Sequence, residues 1–239
     1  MSKRLSSIVV AGGTGLVGRE VVRLLAAREG LHVRVLVRKA GALPAATKAT
    51  SLAKDTTIDE LVFDYDADEA YRGVFEGFPT DVLFSCLGTT RAKAGSDEAF
   101  RRVDLAYPQK LLSAFAAHAP EGTFALVSSV GADGKTGLYL RTKHELEQAV
   151  FASGLRYVVA RPSLLEGDRG EARLGEQLGS VLMRPFSLLG KDLLGLNAAY
   201  KYAPIHVREV AEALVTTALD NPAGSVILEG KTLFAAAAK

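Results

Sequence analysis

An apolar run that enters a cluster of glycines near the start of the chain constrains the fold more than any other feature. Residues 8–18 read IVVAGGTGLVG, and apolar residues then recur at helical spacing at Val17, Val21, Leu24 and Leu25. This pattern predicts a strand, a tight turn and a helix. Glycines let the backbone approach an anion closely, and a helix N-terminus presents free N–H groups and the positive end of a dipole. The turn is therefore predicted to bind the pyrophosphate of a dinucleotide.

The spacing of these glycines fits two patterns of dinucleotide-binding turns. Gly13, Gly15 and Gly18 match GxGxxG, the fingerprint of the Rossmann βαβ unit. Gly12, Gly15 and Gly18 match GxxGxxG, which is typical of short-chain dehydrogenases. The turn alone does not choose between the two patterns. Both predict the same cofactor-binding residues, namely Gly12, Gly13, Thr14, Gly15, Leu16, Val17 and Gly18.

The rest of the chain alternates between apolar runs and segments with helical spacing. The pattern predicts strands over residues 32–37, 59–64, 81–86, 124–129 and 157–161, and helices over 100–117 and 139–152. Continuous apolar strands separated by helices are typical of a parallel sheet that is buried on both faces. Because crossovers are right-handed, we predict an α/β protein with a Rossmann-like, doubly wound parallel sheet. Such a sheet binds its ligands at the carboxyl ends of the strands.

The predicted domain organisation is a single NAD(P)-binding Rossmann-like domain over residues 1–239, with a lid region on the substrate side over 166–205. Within that region, apolar residues at helical spacing over 174–182 predict a helix that Pro185 ends or bends. Two interpretations of the region stand side by side. One is a lid with an apolar wall for the substrate, and the other is core packing or a dimer face. The region is short for the substrate lobe of a nucleotide-sugar epimerase.

Composition argues against several classes of function. The net charge of +2 is too small to indicate nucleic-acid binding, and no basic run of the kind that grips phosphate backbones is present. No segment approaches the length of a membrane span, and the histidines and carboxylates lack the spacing of metal ligands. The single cysteine, Cys86, rules out an intramolecular disulfide, which predicts a reducing compartment and a cytoplasmic protein. A homodimer is left open.

Two cations at the end of the second predicted strand bear on the choice of cofactor. NAD-preferring folds usually carry an acidic residue there, which binds the ribose 2′-hydroxyl. This chain has Arg38 and Lys39 instead. Since two cations suit a 2′-phosphate, they predict NADP(H), although a solvated basic loop is the alternative. Asp64, at the end of the third predicted strand, is a candidate acceptor for the adenine amine, with a solvated turn residue as its alternative.

A tyrosine and a lysine four residues apart form the candidate catalytic pair. Tyr139 and Lys143 begin a predicted helix, and this spacing puts both side chains on one face. A phenol alone has a pKa of about 10, and a neighbouring ammonium favours its ionised form. A serine at the end of the fifth strand would hydrogen-bond a substrate carbonyl. Ser129 is favoured because it is the last residue before the chain turns at 130–131, and Ser128 remains an alternative.

The chain resembles the atypical short-chain dehydrogenase/reductase superfamily, and within it the oxidoreductases related to the HIV Tat-interacting protein. The matching segments are GGTGLVG at 12–18, CLGTTRAKAG at 86–95, VD at 103–104, LVSSVGAD at 126–133, YLRTKHELE at 139–147 and RPSLL at 161–165. Together they span most of the chain. CLGTTRAKAG is far more specific than the glycine turn.

The resemblance implies a Rossmann-like fold, NADPH as the cofactor, and the roles of several residues. Tyr139 is implied to donate and accept the proton, and Lys143 to position the cofactor. Leu87 and Gly88 are implied to pass beside the cofactor. The last two implied contacts are Leu165 at the nicotinamide end and Arg173 at the phosphates.

One acidic residue and two histidines receive weaker assignments. Asp104 occupies a helix position that often orients the strand ends in such folds, and a solvated helix residue is an equal alternative. His144 is adjacent to Lys143 and therefore points away from its face, which argues against catalysis. His206 is interpreted as structural.

Two functions from different classes follow from these residues. The first is an NADPH-dependent oxidoreductase that transfers hydride to or from a small carbonyl or alcohol substrate, with Tyr139 as the acid or base. The second is a non-catalytic NADP(H)-binding regulator that senses redox state. The sequence does not name the substrate.

Overall fold

Strands and helices alternate through the part of the chain that the computed structural model describes, residues 6–43, 52–167, 200–220 and 224–238. In chain order the elements are β1 (Ser6–Ala11), α1 (Leu16–Ala26), β2 (Leu31–Val37), β3 (Thr57–Val62), α2 (Ala70–Gly73), β4 (Val82–Ser85), α3 (Arg91–Ala94), α4 (Asp97–Arg101), a π-helix (Arg102–Ala106), α5 (Tyr107–His118), β5 (Thr123–Val127), α6 (Gly137–Ala152), β6 (Arg156–Arg161), β7 (Leu165–Glu166), β8 (Ile205–His206), α7 (Val207–Asp220), β9 (Val226–Glu229) and α8 (Lys231–Ala237).

Seven of the described strands form one parallel sheet in the order β3-β2-β1-β4-β5-β6-β9. The register pairs Val10 of β1 with Val35 of β2 on one side and with Phe84 of β4 on the other. β7 and β8 form a separate parallel pair. The chain changes direction across the sheet between β1 and β4, and ligands of doubly wound sheets bind at such a switch point. The predicted Rossmann-like, doubly wound parallel sheet is confirmed.

Both faces of the sheet are covered, which explains why its central strands read as continuous apolar runs. Ile8 and Val10 of β1 belong to the core that includes residues of α1, α7 and α8. Val9 and Ala11, whose side chains point the other way, belong to the core that includes residues of α5 and α6. All four side chains are fully buried. In a sheet with one face exposed to solvent, the strands would instead alternate between polar and apolar residues.

Several strand boundaries differ from the predictions by up to two residues. The strand predicted over 59–64 is β3, which begins at residue 57, where its pairing with β2 begins, and ends at 62. β4 ends at Ser85, one residue before its predicted end. β5 ends at residue 127, so Ser128 and Ser129 lie in the loop that follows it. The loops after β4 and β5 line a cleft.

Residues 100–117, which are predicted to be helical, are helical throughout, although three helical segments divide this part of the chain. α4 and α5 are separated by the π-helix. Pro108, in the first turn of α5, has no N–H to donate to the carbonyl of Asp104, and its ring clashes with that carbonyl in a regular α-helix. The wider π turn relieves this clash. The helix predicted over 139–152 is α6, which begins two residues earlier.

Most of the predicted lid region lies outside the described residues. This holds for the predicted helix over 174–182 and for Pro185. The single-domain organisation and the lid therefore stay predictions. Within the described ranges, no helix combines the length and the apolarity that crossing a bilayer requires.

The turn between β1 and α1 is closed by backbone contacts that leave no room for side chains. Gly12 has a φ of +80°, and a Cβ there would lie 2.6 Å from the carbonyl carbon and oxygen of Cys86. A Cβ on Gly18 would lie 2.1 Å from the carbonyl oxygen of Gly12. The first turn of α1 therefore packs directly on the loop that precedes it.

Replacing Gly18 with alanine is expected to destabilise the protein, because the methyl group meets a backbone oxygen that cannot move aside cheaply. Overpacking of this kind costs about 1–3 kcal/mol of the free energy of unfolding. Denaturant titration of Gly18→Ala measures the loss. Gly73→Ala is the matched control, since a Cβ at Gly73 meets nothing within 4 Å. Equal stability of the two variants would contradict the packing described above.

Candidate active site

A cleft opens at the carboxyl ends of β1, β4, β5 and β6, where the loops after these strands meet. Its volume is about 280 Å³. The predicted site residues that line it are Thr14, Gly15, Leu16, Val17, Leu87, Gly88, Ser129, Tyr139, Lys143 and Leu165. The predicted dinucleotide turn and the predicted catalytic side chains therefore meet in one place. Contact with a cofactor or substrate stays a prediction for each of these residues.

The N-terminus of α1 presents an uncapped edge to this cleft. Gly15 is the N-cap residue, no side chain caps the helix, and no acidic residue occupies its first turn. A Cβ at Gly15 would lie 3.3 Å from the carbonyl oxygen of Gly12, with no other heavy atom within 4 Å. The N–H groups of the first turn thus face space that fits an anionic group. Gly12, Gly13 and Gly18 are not lining residues and instead shape the turn.

The cations predicted to select the cofactor lie beside the turn rather than in the cleft. Arg38 and Lys39 follow β2 and are exposed. Burial raises the pKa of the Tyr65 phenol, and the charge of Arg38 and the backbone of Gly12 oppose that shift. Because β2 pairs with β1 as far as Ala11 and Leu36, the two cations follow the strand beside the one that enters the glycine turn. The contacts assigned to the two cations stay predictions.

Two further predicted cofactor contacts lie elsewhere. Asp64 is exposed after β3, and its Oδ1 accepts a hydrogen bond from the backbone N–H of Asp66 at 2.9 Å. It does not line the cleft. Arg173 lies outside the described residues. Both assignments stay predictions.

Tyr139 and Lys143 share one face of α6, as their spacing predicts. The Nζ atom of Lys143 lies 5.8 Å from the centre of the Tyr139 ring. On the other side, the buried ring of Phe100 in α4 has its centre 6.1 Å from that of Tyr139. The phenol is half-buried and lines the cleft, whereas the lysine is buried.

A buried ion pair holds Lys143 in position. Its Nζ lies 2.9 Å from Oδ1 of Asp104, and the side chains are 5% and 1% exposed. The other carboxylate oxygen of Asp104 accepts the backbone N–H of Thr89 at 2.8 Å. One carboxylate thus ties the π-helix both to α6 and to the loop after β4. Of the two alternatives left open for Asp104, the structure excludes a solvated residue.

This ion pair decides the protonation state of Lys143. Burial lowers the pKa of the ammonium, but the negative charges of Asp104 and Glu147 and the hydrogen bond to Asp104 outweigh this effect, so that the pKa lies above its ordinary value. The side chain therefore stays cationic at neutral pH.

The two serines after β5 have different partners, although each is only 3% exposed. The hydroxyl of Ser128 donates to Oε1 of Glu147 at 2.5 Å. The hydroxyl of Ser129 has a longer contact, 3.2 Å, with the carbonyl oxygen of the next residue, Val130. Both serines line the cleft. The sequence left the choice between them open.

Glu147 is a site residue that sequence reasoning missed. It is fully buried, and it accepts two hydrogen bonds from Arg161, at 2.9 Å from Nε and 2.6 Å from Nη2. Its position four residues after Lys143, on the same helix face, is the signal that was available. The strand that carries Arg161 comes later in the chain, so the pairing itself was not visible in the local sequence.

Two other side chains of potentially reactive types, Cys86 and His144, have surroundings that do not favour a catalytic role. Burial raises the pKa of the Cys86 thiol to about 12, so the thiol stays protonated at neutral pH. The Nδ1 atom of His144 lies 3.2 Å from the carbonyl oxygen of Ala132 and does not line the cleft. Within the described ranges, no group of three or more His, Cys, Asp or Glu residues is arranged to hold a metal ion.

Comparison with protein families defines the class. A family model described as NAD(P)H-binding matches residues 12–183, which is more than half of the chain. The Rossmann-like fold described above is consistent with this match. The chain therefore belongs to the NAD(P)H-binding family.

Comparison with individual proteins identifies relatives of the chain more specifically. FMP52-1 from Scheffersomyces stipitis is 30% identical over 206 residues, which cover 81% of this chain and 84% of the relative. HTATIP2 from Rattus norvegicus is 42% identical over 123 residues, which cover 51% of this chain and 49% of the relative. The chain is a homologue of both, and the predicted relationship to the Tat-interacting group is confirmed.

Solved structures agree on the fold. A short-chain dehydrogenase/reductase from Mycobacterium ulcerans superposes with a TM-score of 0.67 at 18% identity, covering 98% of this chain and 91% of that one. A second oxidoreductase of the same family, from Burkholderia thailandensis, gives 0.63 at 21% identity, with 97% and 94% covered. At these identities the similarity establishes the architecture alone.

The prediction of a cytoplasmic protein is wrong by this comparison. FMP52 relatives from four fungi, among them Coccidioides immitis and Candida albicans, are named mitochondrial. The prediction rested on the single cysteine. One cysteine rules out an intramolecular disulfide but does not distinguish one reducing compartment from another.

Replacing Asp104 with asparagine is expected to lower the free energy of unfolding by about 3 kcal/mol near neutral pH, because it leaves a buried cation unpaired. The pKa of Lys143 is raised in the folded protein, so the pair stabilises fully below the unfolded pKa of about 10.5 and is lost as the pH rises through the folded pKa. The gap in Tm between wild type and Asp104→Asn should therefore narrow above about pH 10.

The control for this experiment is Asp97→Asn, which removes an exposed carboxylate paired with Arg91. Surface pairs contribute little, so its Tm should follow that of wild type at every pH. A gap for Asp104→Asn that stays constant with pH would contradict the assigned ion pair.

Proposed function

We propose that this protein is an NADPH-dependent oxidoreductase of the short-chain dehydrogenase/reductase type, acting on a small carbonyl or alcohol substrate. The observation that carries the proposal is the shared cleft, which is lined both by the glycine turn and by Ser129, Tyr139 and Lys143. A binding protein with no chemistry to perform has no need of a phenol and a buried ammonium next to its nucleotide turn.

The described residues fit such a cofactor. The uncapped N-terminus of α1 suits the pyrophosphate, and the open space at Gly15 lets it approach the backbone. Leu87, Gly88 and Leu165 line the same cleft as this turn and Tyr139. These apolar and small residues suit the nicotinamide and its ribose, with Lys143 as the donor to the ribose hydroxyls.

Preference for NADP(H) over NAD(H) is supported by charge. Arg38 and Lys39 are exposed at the end of β2, where an acidic residue would favour NAD(H). Support comes from the pairing of β2 with β1, because the two cations follow the strand beside the one that enters the glycine turn. A guanidinium there can bind a 2′-phosphate through two parallel hydrogen bonds and stack on the adenine.

Each side chain of the site has a distinct role in carbonyl reduction. The reduced nicotinamide, when bound, supplies the hydride that attacks the carbonyl carbon. Tyr139 donates its phenolic proton to the carbonyl oxygen, which becomes the hydroxyl of the product alcohol. Ser129 donates a hydrogen bond to the same oxygen and orients it. Lys143 keeps its positive charge beside Tyr139, which stabilises the phenolate left after proton transfer.

Replacing Tyr139 with phenylalanine tests the catalytic role, because the variant keeps the ring and loses only the hydroxyl. Turnover should fall by at least about 100-fold, while the Kd for NADPH stays within about twofold of wild type. The assay follows NADPH absorbance with a panel of aldehydes, ketones and quinones, and binding is measured by fluorescence. Tight NADPH binding without any turnover in wild type would favour the redox-sensing regulator instead.

Replacing Arg38 with aspartate tests the choice of cofactor. The carboxylate repels a 2′-phosphate and accepts a ribose hydroxyl, so the ratio of NADPH to NADH affinity should fall by at least about tenfold. Titration of both cofactors measures this ratio. Lys231→Asp, which makes the same change of charge on α8, should leave the ratio unchanged. An unchanged ratio in Arg38→Asp would rule out the assignment.

A further inference from the structure

The cleft contains two adjacent serine hydroxyls, and their hydrogen bonds are unequal. Ser128 donates at 2.5 Å to a buried carboxylate, while Ser129 has only a 3.2 Å contact with the carbonyl oxygen of Val130. A hydroxyl has one hydrogen to donate. Whichever serine binds a substrate oxygen must first release its present acceptor, and the cost of release is far larger for Ser128.

The acceptor of Ser128 is itself fixed in place. Glu147 is fully buried, and the guanidinium of Arg161 gives each of its carboxylate oxygens a hydrogen bond, at 2.9 and 2.6 Å. Arg161 is held in turn by Glu229, whose other oxygen lies 2.9 Å from Nζ of Lys201. The carboxylate therefore cannot turn away from Ser128 without breaking its two charge-assisted hydrogen bonds with Arg161.

The backbone around the serines is fixed as well. The N–H of Ser128 donates to the carbonyl oxygen of Ala160 at 2.8 Å, and the N–H of Val130 donates to that of Pro162 at 2.9 Å. The loop after β5 is thus tied to the end of β6 on both sides of Ser129. The Ser129 side chain, by contrast, is bound only through the 3.2 Å contact of its hydroxyl with the carbonyl oxygen of Val130.

We infer that Glu147 is a positioning residue that assigns different roles to the two serines. It holds the Ser128 hydroxyl as a donor into the interior, which leaves the Ser129 hydroxyl to meet the substrate oxygen. This inference rests on the proposed function, because it concerns the oxygen that Tyr139 protonates. Tyr139, Lys143 and Glu147 follow one another at four-residue spacing, so one face of α6 carries the proton donor, the fixed cation and the residue that orients the serines.

Kinetics of single variants test the division of roles. Ser129→Ala should lower kcat by about 100-fold, as expected when one donor to a reacting oxygen is removed, with the Kd for NADPH unchanged. Ser128→Ala should lower kcat by less than about fivefold. Glu147→Gln should lower kcat by about tenfold with little change in NADPH binding, because the neutral amide lacks the charge that holds the Ser128 hydroxyl and lets this hydroxyl turn. Glu145→Gln, an exposed change on the same helix, is the matched control.

A thermal double-mutant cycle tests the contact between Ser128 and Glu147 without any turnover. If the hydrogen bond exists, the losses in Tm for Ser128→Ala and Glu147→Gln are not additive, and the double variant is about as stable as Glu147→Gln alone. Its kcat should likewise not fall below that of Glu147→Gln. If Glu147→Gln does not fold, the comparison between Ser128→Ala and Ser129→Ala decides the inference.

Three results would each overturn a different part of the proposal. Additive Tm losses would overturn the contact itself. A loss of kcat in Ser128→Ala as large as that in Ser129→Ala would overturn the division of roles. A wild-type protein that binds NADPH but reduces none of the carbonyl compounds would overturn the proposed function and the role of Ser129 with it, while the thermal cycle would still measure the contact.

Discussion

One buried ion pair joins the parts of the chain that form the cleft. Asp104 comes from the π-helix, Lys143 from α6, and the second oxygen of Asp104 binds the backbone of Thr89 in the loop after β4. Neither charge is stable alone in such surroundings, so the three segments hold their relative positions as long as the pair exists. The position of Tyr139, one helical turn before Lys143, follows from the same constraint.

A second buried carboxylate, that of Glu147, binds one of the two serines in the same way that Asp104 binds Lys143. Glu147 pairs with Arg161 and accepts from Ser128, and it links α6 to the ends of β5 and β6. The two carboxylates lie on different helices, and both are almost fully buried. A buried carboxylate is costly unless every oxygen has a partner. Both bring their partners to the carboxyl edge of the sheet, where the cleft opens.

The sheet was predictable from the sequence because its signals are local. Continuous apolar strands, such as residues 8–11, report burial on both faces, and the glycine turn reports the first crossover. The spacing of Tyr139 and Lys143 likewise gave their common face. The roles of Asp104 and Glu147 depend on partners 39 and 14 residues away, and no short pattern encodes such pairs. The π-helix did leave a local signal, Pro108, inside a stretch that otherwise reads as one helix.

The thiol of Cys86 has a consequence for the compounds that the cleft can admit. It lines the cleft, and burial raises its pKa to about 12, so that the thiol is protonated at neutral pH. Alkylation of cysteine by electrophiles proceeds through the thiolate. An electrophile that reaches the cleft is therefore expected to alkylate Cys86 slowly.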